Sequence, residues 1–102
     1  MLNVTILHGP NLNLLGVRQP EIYGHKSFED FLTTMRDQFP QCKINFAQTN
    51  VEGELVTLIQ NHGFTSDYII LNAAAYTHTS VAIPDAVAAV PAKVIGVHLS
   101  NI

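Results

Sequence analysis

Apolar residues recur along this chain in two alternating rhythms. Short continuous runs predict β-strands over residues 2–7, 43–47, 68–71 and 94–97. Between them apolar positions return at helical spacing. Phe28, Phe31, Leu32, Met35 and Phe39 follow Ser27, an N-cap with Asp30 three residues on, and Pro40 ends the run. That stripe reads as core, not as a cofactor box. Asn50 is placed to cap a second helix carrying Val51, Leu55, Leu58 and Ile59, with Gly63 as its stop. Thr79 or Ser80 caps a third helix through Ala89, whose first turn tolerates Pro84 because its N–H groups lack intrahelical partners. Residues 9–26 hold three Gly and two Pro without periodicity, so they read as a long loop.

Strands alternating with helices argue for βαβ units and a parallel sheet. The expected fold is a single α/β domain over residues 1–102. It is a flavodoxin-like open parallel sheet with helices on both faces, its crossovers right-handed. After the fourth strand the expected closing helix does not follow in this sequence. In open parallel sheets, ligands bind beyond the carboxyl ends of the strands. The first strand delivers His8-Gly9-Pro10-Asn11 there, the third Asn72, and the fourth His98-Leu99-Ser100-Asn101. Thr77-His78-Thr79-Ser80 falls on the same edge, and the long loop brings Arg18 and Tyr23 within reach.

Composition narrows the use of that rim. Hydrophobic residues make up 47% and charged residues 13%, which marks a globular chain. A formal charge of −3 offers no footprint for nucleic acid or an anionic membrane. A lone cysteine, Cys42, forms no internal disulfide and lies at the wrong end for a nucleophile. With no membrane-length apolar run and no signal peptide, a cytoplasmic protein is expected. The low charge also suggests a surface that meets another subunit.

Each rim group has a bland alternative. Asn11 and Asn72 fit turn-bonding roles, and His78 and His98 fit structural histidines. His25 and His62 read as solvated. No H-x-H or i,i+4 pairing supports a metal, no lysine (Lys26, Lys43, Lys93) is placed for an imine, and Gly9–Asn13 lacks the glycine spacing of a dinucleotide loop. The chemistry that uses the set is proton removal beside a carbonyl, which needs a base, an enolate stabiliser and an acid for a leaving oxygen. Tyrosine, with a pKa of about 10, is a poor base until a guanidinium favours its phenolate. Arg18 and Tyr23 could form that pair, and a histidine is a sensible proton donor.

The stretch Leu7-His8-Gly9-Pro10-Asn11-Leu12-Asn13-Leu14-Leu15-Gly16-Val17-Arg18-Gln19-Pro20-Glu21-Ile22-Tyr23-Gly24 resembles the signature of type II 3-dehydroquinate dehydratases. Glu52-Gly53-Glu54-Leu55, Leu71-Asn72, Thr77-His78-Thr79-Ser80-Val81-Ala82 and Val97-His98-Leu99-Ser100-Asn101 match the family in order and spacing. The resemblance implies a hydro-lyase that converts 3-dehydroquinate to 3-dehydroshikimate by anti elimination through an enolate, in the shikimate pathway or quinate catabolism. It implies no metal, imine or other cofactor. By position, Tyr23 corresponds to the base, Arg18 to the residue favouring its phenolate, Asn11 to the enolate stabiliser acting through a water, and His98 to the acid. Asn72 and His78 correspond to substrate-hydroxyl ligands, Leu99 and Ser100 to carboxylate contacts, and residues 10–24 to an active-site lid. Asp85 corresponds to a residue reaching a neighbouring subunit's site in trimers that assemble to dodecamers.

The chain also departs from the family pattern. Gly96 stands where Glu is common, two residues before the acid histidine, and Pro84 where Arg is common. The family's further forty or so residues, with a substrate-binding Arg, an edge strand and a helix, are not in the sequence. The competing expectations are therefore a truncated, catalytically impaired fragment or paralogue, and a flavodoxin-like binder without turnover.

Overall fold

The structure is a computed structural model, described here for residues 1–14 and 28–98. The elements are β1 (Leu2–His8), a 3-10 turn (Leu12–Leu14), α1 (Phe28–Gln38), β2 (Cys42–Gln48), α2 (Glu52–Gly63), β3 (Tyr68–Asn72), α3 (Tyr76–Thr79), α4 (Ala82–Ala89) and β4 (Lys93–Gly96). The four strands form one parallel sheet in the order β2-β1-β3-β4. That is the doubly wound order expected when the crossover direction reverses after the first βαβ unit. Pairing runs from Leu2 opposite Cys42 to His8 opposite Gln48, and from Val4 opposite Tyr68 to His8 opposite Asn72. His8, Gln48 and Asn72 therefore form the last row at the carboxyl edge.

Side chains alternate across the pleat, so each face has its own cover. On one face Leu7, Ile69 and Leu71 meet Leu55 and Ile59 of α2 and Ile83 and Ala86 of α4. Leu7, Leu55, Ile59 and Ile69 are fully buried, each removal from water stabilising the fold by about 1.5–3 kcal/mol. On the other face Ile6 and Leu32 of α1 are buried, but Ile95 is 49% exposed. Helices thus cover both faces, as the alternation of elements predicts.

Several boundaries and caps differ from the sequence expectation. Only Leu32 of the first stripe is buried; Phe28 and Met35 are half-buried, while Phe31 and Phe39 are about half exposed. Helix α1 therefore seats itself through one edge of its apolar stripe. Asn50 does not cap α2: its N-cap is Val51, without a side-chain cap bond. Thr49 acts instead, its Oγ1 accepting from the Val51 N–H at 3.1 Å and donating to Glu54 at 2.6 Å. Gly63 is the last residue of α2, and packing, not a left-handed turn, requires glycine there. A Cβ there would collide with the Val90 side chain, so only glycine lets α2 approach that residue. The third helix divides into α3 and α4. Ser80, not Thr79, serves α4, its Oγ accepting from the Ile83 N–H at 3.0 Å. The last strand ends at Gly96, one residue early, although the Val97 N–H still bonds the Leu71 carbonyl at 2.9 Å.

Candidate active site at the carboxyl edge of the sheet

Each strand of the sheet ends in a polar residue or leads into one, and the turns that follow bring these groups to one rim. Asn11 lies three residues beyond β1, Asn72 closes β3, His78 sits in α3, and His98 follows β4 by two residues. Both His78 and His98 are exposed, which removes the reading of either as a buried structural histidine. Asp85 is exposed in the first turn of α4. Arg18, Tyr23, Leu99 and Ser100 lie outside the described residues, as does most of the lid, 10–24.

Asn72 keeps a turn role: its Oδ1 accepts from the Ala74 N–H at 3.1 Å while the residue is 3% exposed. Its carbonyl accepts from Gly9 at 2.7 Å. A Cβ on Gly9 would lie 2.6 Å from the Ala73 carbonyl oxygen, so the turns after β1 and β3 touch backbone to backbone.

Two non-glycine residues among those described have positive φ: Asn11 at 68° and Ala74 at 53°. A left-handed conformation costs an L-residue about 1–2 kcal/mol, least for Asn. Both positions fall in turns at this rim, where the surrounding hydrogen bonds hold them. The Asn11 N–H donates to Asn50 Oδ1 at 2.9 Å, and its carbonyl accepts from Leu14 at 3.0 Å. Gln48 Nε2 is shared among the Gly9 carbonyl at 3.1 Å, Asn50 Oδ1 at 3.0 Å and Asn13 Oδ1 at 3.4 Å. The Tyr76 hydroxyl donates to the Asn50 carbonyl at 2.8 Å.

The imidazoles of the rim are not equivalent. His8 is 4% exposed, in edge contact with Phe28 and Phe46 at ring-centroid distances of 4.2 and 5.1 Å. Its Nδ1 has no hydrogen-bond partner among the described residues, and burial pushes its pKa down to about 4. His8 is thus neutral at pH 7.

Gln48, Asn50 and Tyr76 are rim residues that the sequence reading missed. The rule that located the others, reading the carboxyl end of each strand, also applies to β2 and would have delivered Gln48-Thr49-Asn50. Tyr76 carries no comparable signal, because its bond joins residues 26 apart.

The opposite edge carries a second polar cluster. Thr5 Oγ1 lies 2.6 Å from Ser66 Oγ and 3.4 Å from His62 Nδ1, and it accepts from Asn45 Nδ2 at 3.3 Å. Asn45 also donates to Asn3 Oδ1 at 2.8 Å. His62 is therefore half-buried against Thr5, not solvated as its helix-end position suggests. No helix among the described residues is long and apolar enough to cross a membrane.

The sheet order and the helices on both faces place the chain among doubly wound α/β proteins. More narrowly, the chain belongs to the class II dehydroquinase family, whose model matches residues 2–102. It is 50% identical to the 3-dehydroquinate dehydratase of Dinoroseobacter shibae over 99% of this chain and 69% of that protein. To the enzyme of the same name from Campylobacter hominis it is 48% identical, over 98% of this chain and 66% of the relative. The type II dehydroquinase of Butyrivibrio crossotus superposes with a TM-score of 0.89 at 38% identity, over 98% of this chain and 72% of that one. That of Propionibacterium acnes gives 0.90 at 31%, over 100% and 72%. The chain spans about two thirds of the length of its curated relatives.

Proposed function

We propose that this chain carries the 3-dehydroquinate dehydratase reaction of its family, a hydro-lyase step that removes one water to give 3-dehydroshikimate. The observation that carries the reading is the assembly of Asn11, Asn72, His78 and His98 at one carboxyl edge, in a chain half identical to relatives of that name. In this reading the Tyr23 phenolate, favoured by Arg18, takes the proton beside the ketone. The electron pair moves into an enolate, which Asn11 stabilises through a water. His98 then protonates the departing hydroxyl, which leaves as water while the enolate collapses to the conjugated ketone. His98 is exposed at the rim, where a ligand can reach it, whereas His8 is buried against Phe28 and Phe46.

Asn72 and His78 hold substrate hydroxyls, while Leu99 and Ser100 hold the carboxylate. Asp85 reaches the site of a neighbouring subunit in a trimer that assembles to a dodecamer. The step serves the shikimate pathway or quinate catabolism in the cytoplasm. The test is an ultraviolet assay for the conjugated product with purified protein and 3-dehydroquinate. Wild type forms product, and Tyr23→Phe abolishes it. Binding without turnover in wild type would favour the impaired-fragment reading, and an unchanged rate in Tyr23→Phe would reject the assigned base.

A further inference from the structure

We propose that Asn50 is a positioning residue that holds Asn11 in its left-handed conformation and so fixes the amide that faces the enolate. The inference rests on the role given to Asn11 above. Three observations carry it. First, Asn50 is released from the duty its sequence position suggests. Thr49 makes the bond at the start of α2, and the Asn50 side chain turns instead to the β1 loop. Second, the group it bonds is the N–H of Asn11, at φ 68°. A residue in that region reverts to the ordinary backbone basin unless its surroundings determine it.

Third, Asn50 joins both strained turns of the rim. Its Oδ1 accepts from Asn11 and from Gln48, and Gln48 also reaches the Gly9 carbonyl. Its backbone carbonyl accepts from Tyr76, whose own N–H bonds Ala73 beside Ala74 at φ 53°. One residue from the turn after β2 thereby ties down the turns after β1 and β3. It lies 39 residues from Asn11 in the chain, so the link is tertiary and not a property of the Asn11 turn itself.

The test compares Asn50→Ala, which removes the acceptor, with Asn50→Asp, which keeps a side-chain oxygen in the same place. Asn50 is exposed, so both variants should melt with wild type. Misplacing a group in the site by an ångström costs up to about 100-fold in rate, and Asn50→Ala should lose about 10- to 100-fold in kcat with little change in KM. Asn50→Asp should regain most of that loss. Because the residues act as a unit, Asn11→Ala/Asn50→Ala should be no slower than Asn11→Ala alone. Residue-resolved amide exchange supplies a readout independent of turnover: the Asn11 amide should exchange faster in Asn50→Ala and not in Asn50→Asp. Losses that multiply in the double variant, or an Asn11 amide indifferent to Asn50→Ala, would overturn the proposal. If wild type turns over no 3-dehydroquinate, the functional reading fails, and amide exchange alone decides whether the clamp exists.

Discussion

The two edges of the sheet are both polar, and they differ in what their polar groups do. At the amino edge Asn3, Thr5, Asn45, His62 and Ser66 bond one another, with Thr5 fully buried and Ser66 8% exposed. At the carboxyl edge the side-chain bonds hold backbone turns, while His78 and His98 reach solvent. Both left-handed non-glycine residues of the described chain lie at this second edge. The amino-edge groups spend their hydrogen bonds on one another and on the adjoining Thr65 and Asp67, and so fix the fold. An open network, braced by backbone strain, keeps imidazoles available to a ligand.

That contrast breaks if catalysis and stability respond together to changes at either edge. The largest separation is expected from His98→Ala. Losing the general acid proposed above should lower kcat about 10²- to 10⁴-fold, with no change in melting temperature because the side chain is exposed. Thr5→Val should do the reverse. It strands the buried Ser66 hydroxyl, costing about 1–3 kcal/mol in denaturant unfolding, while kcat/KM stays at the wild-type value.

His8 sharpens the comparison, because it is a buried group at the open edge. Its folded pKa, about 4, lies below the unfolded value of 6.5, so the unfolded chain binds the extra proton between them. The contribution of neutral His8 is therefore full above pH 6.5 and is lost as pH falls towards 4. The slope is at most about 1.4 kcal/mol per pH unit. His8→Phe, which keeps an aromatic ring against Phe28 and Phe46, should flatten the difference in stability between pH 7 and pH 4 relative to wild type. The smallest effect is expected from Gly96→Glu. A Cβ there meets nothing within 4 Å, so a carboxylate can be installed two residues before His98. A carboxylate that orients the imidazole should raise kcat by about 10-fold at most.

Local pattern made the strands and helices legible, because strand runs bury both faces of the sheet and helical stripes bury one face of each helix. It misplaced Phe31 and Phe39, since periodicity marks an apolar stripe but not how much sheet lies beneath it. It also misjudged Asn50, where two adjacent capping residues compete and the tertiary bond to Asn11 decides between them. The amino-edge network was invisible for a different reason. Asn3, Thr5 and Asn45 alternate along strands as solvent-facing residues do, and only the parallel register places them together. The carboxyl rim was legible in most of its members because chain direction alone fixes which strand ends share an edge.

The most direct test of which edge holds the site is hydrogen-exchange mass spectrometry with and without 3-dehydroquinate, at equilibrium with its product. Ligand should protect peptides covering residues 8–14 and 72–80 and leave those covering 42–46 and 62–68 unchanged. Protection at the amino-edge peptides with none at residues 8–14 and 72–80 would contradict the assignment of the carboxyl rim as the active site.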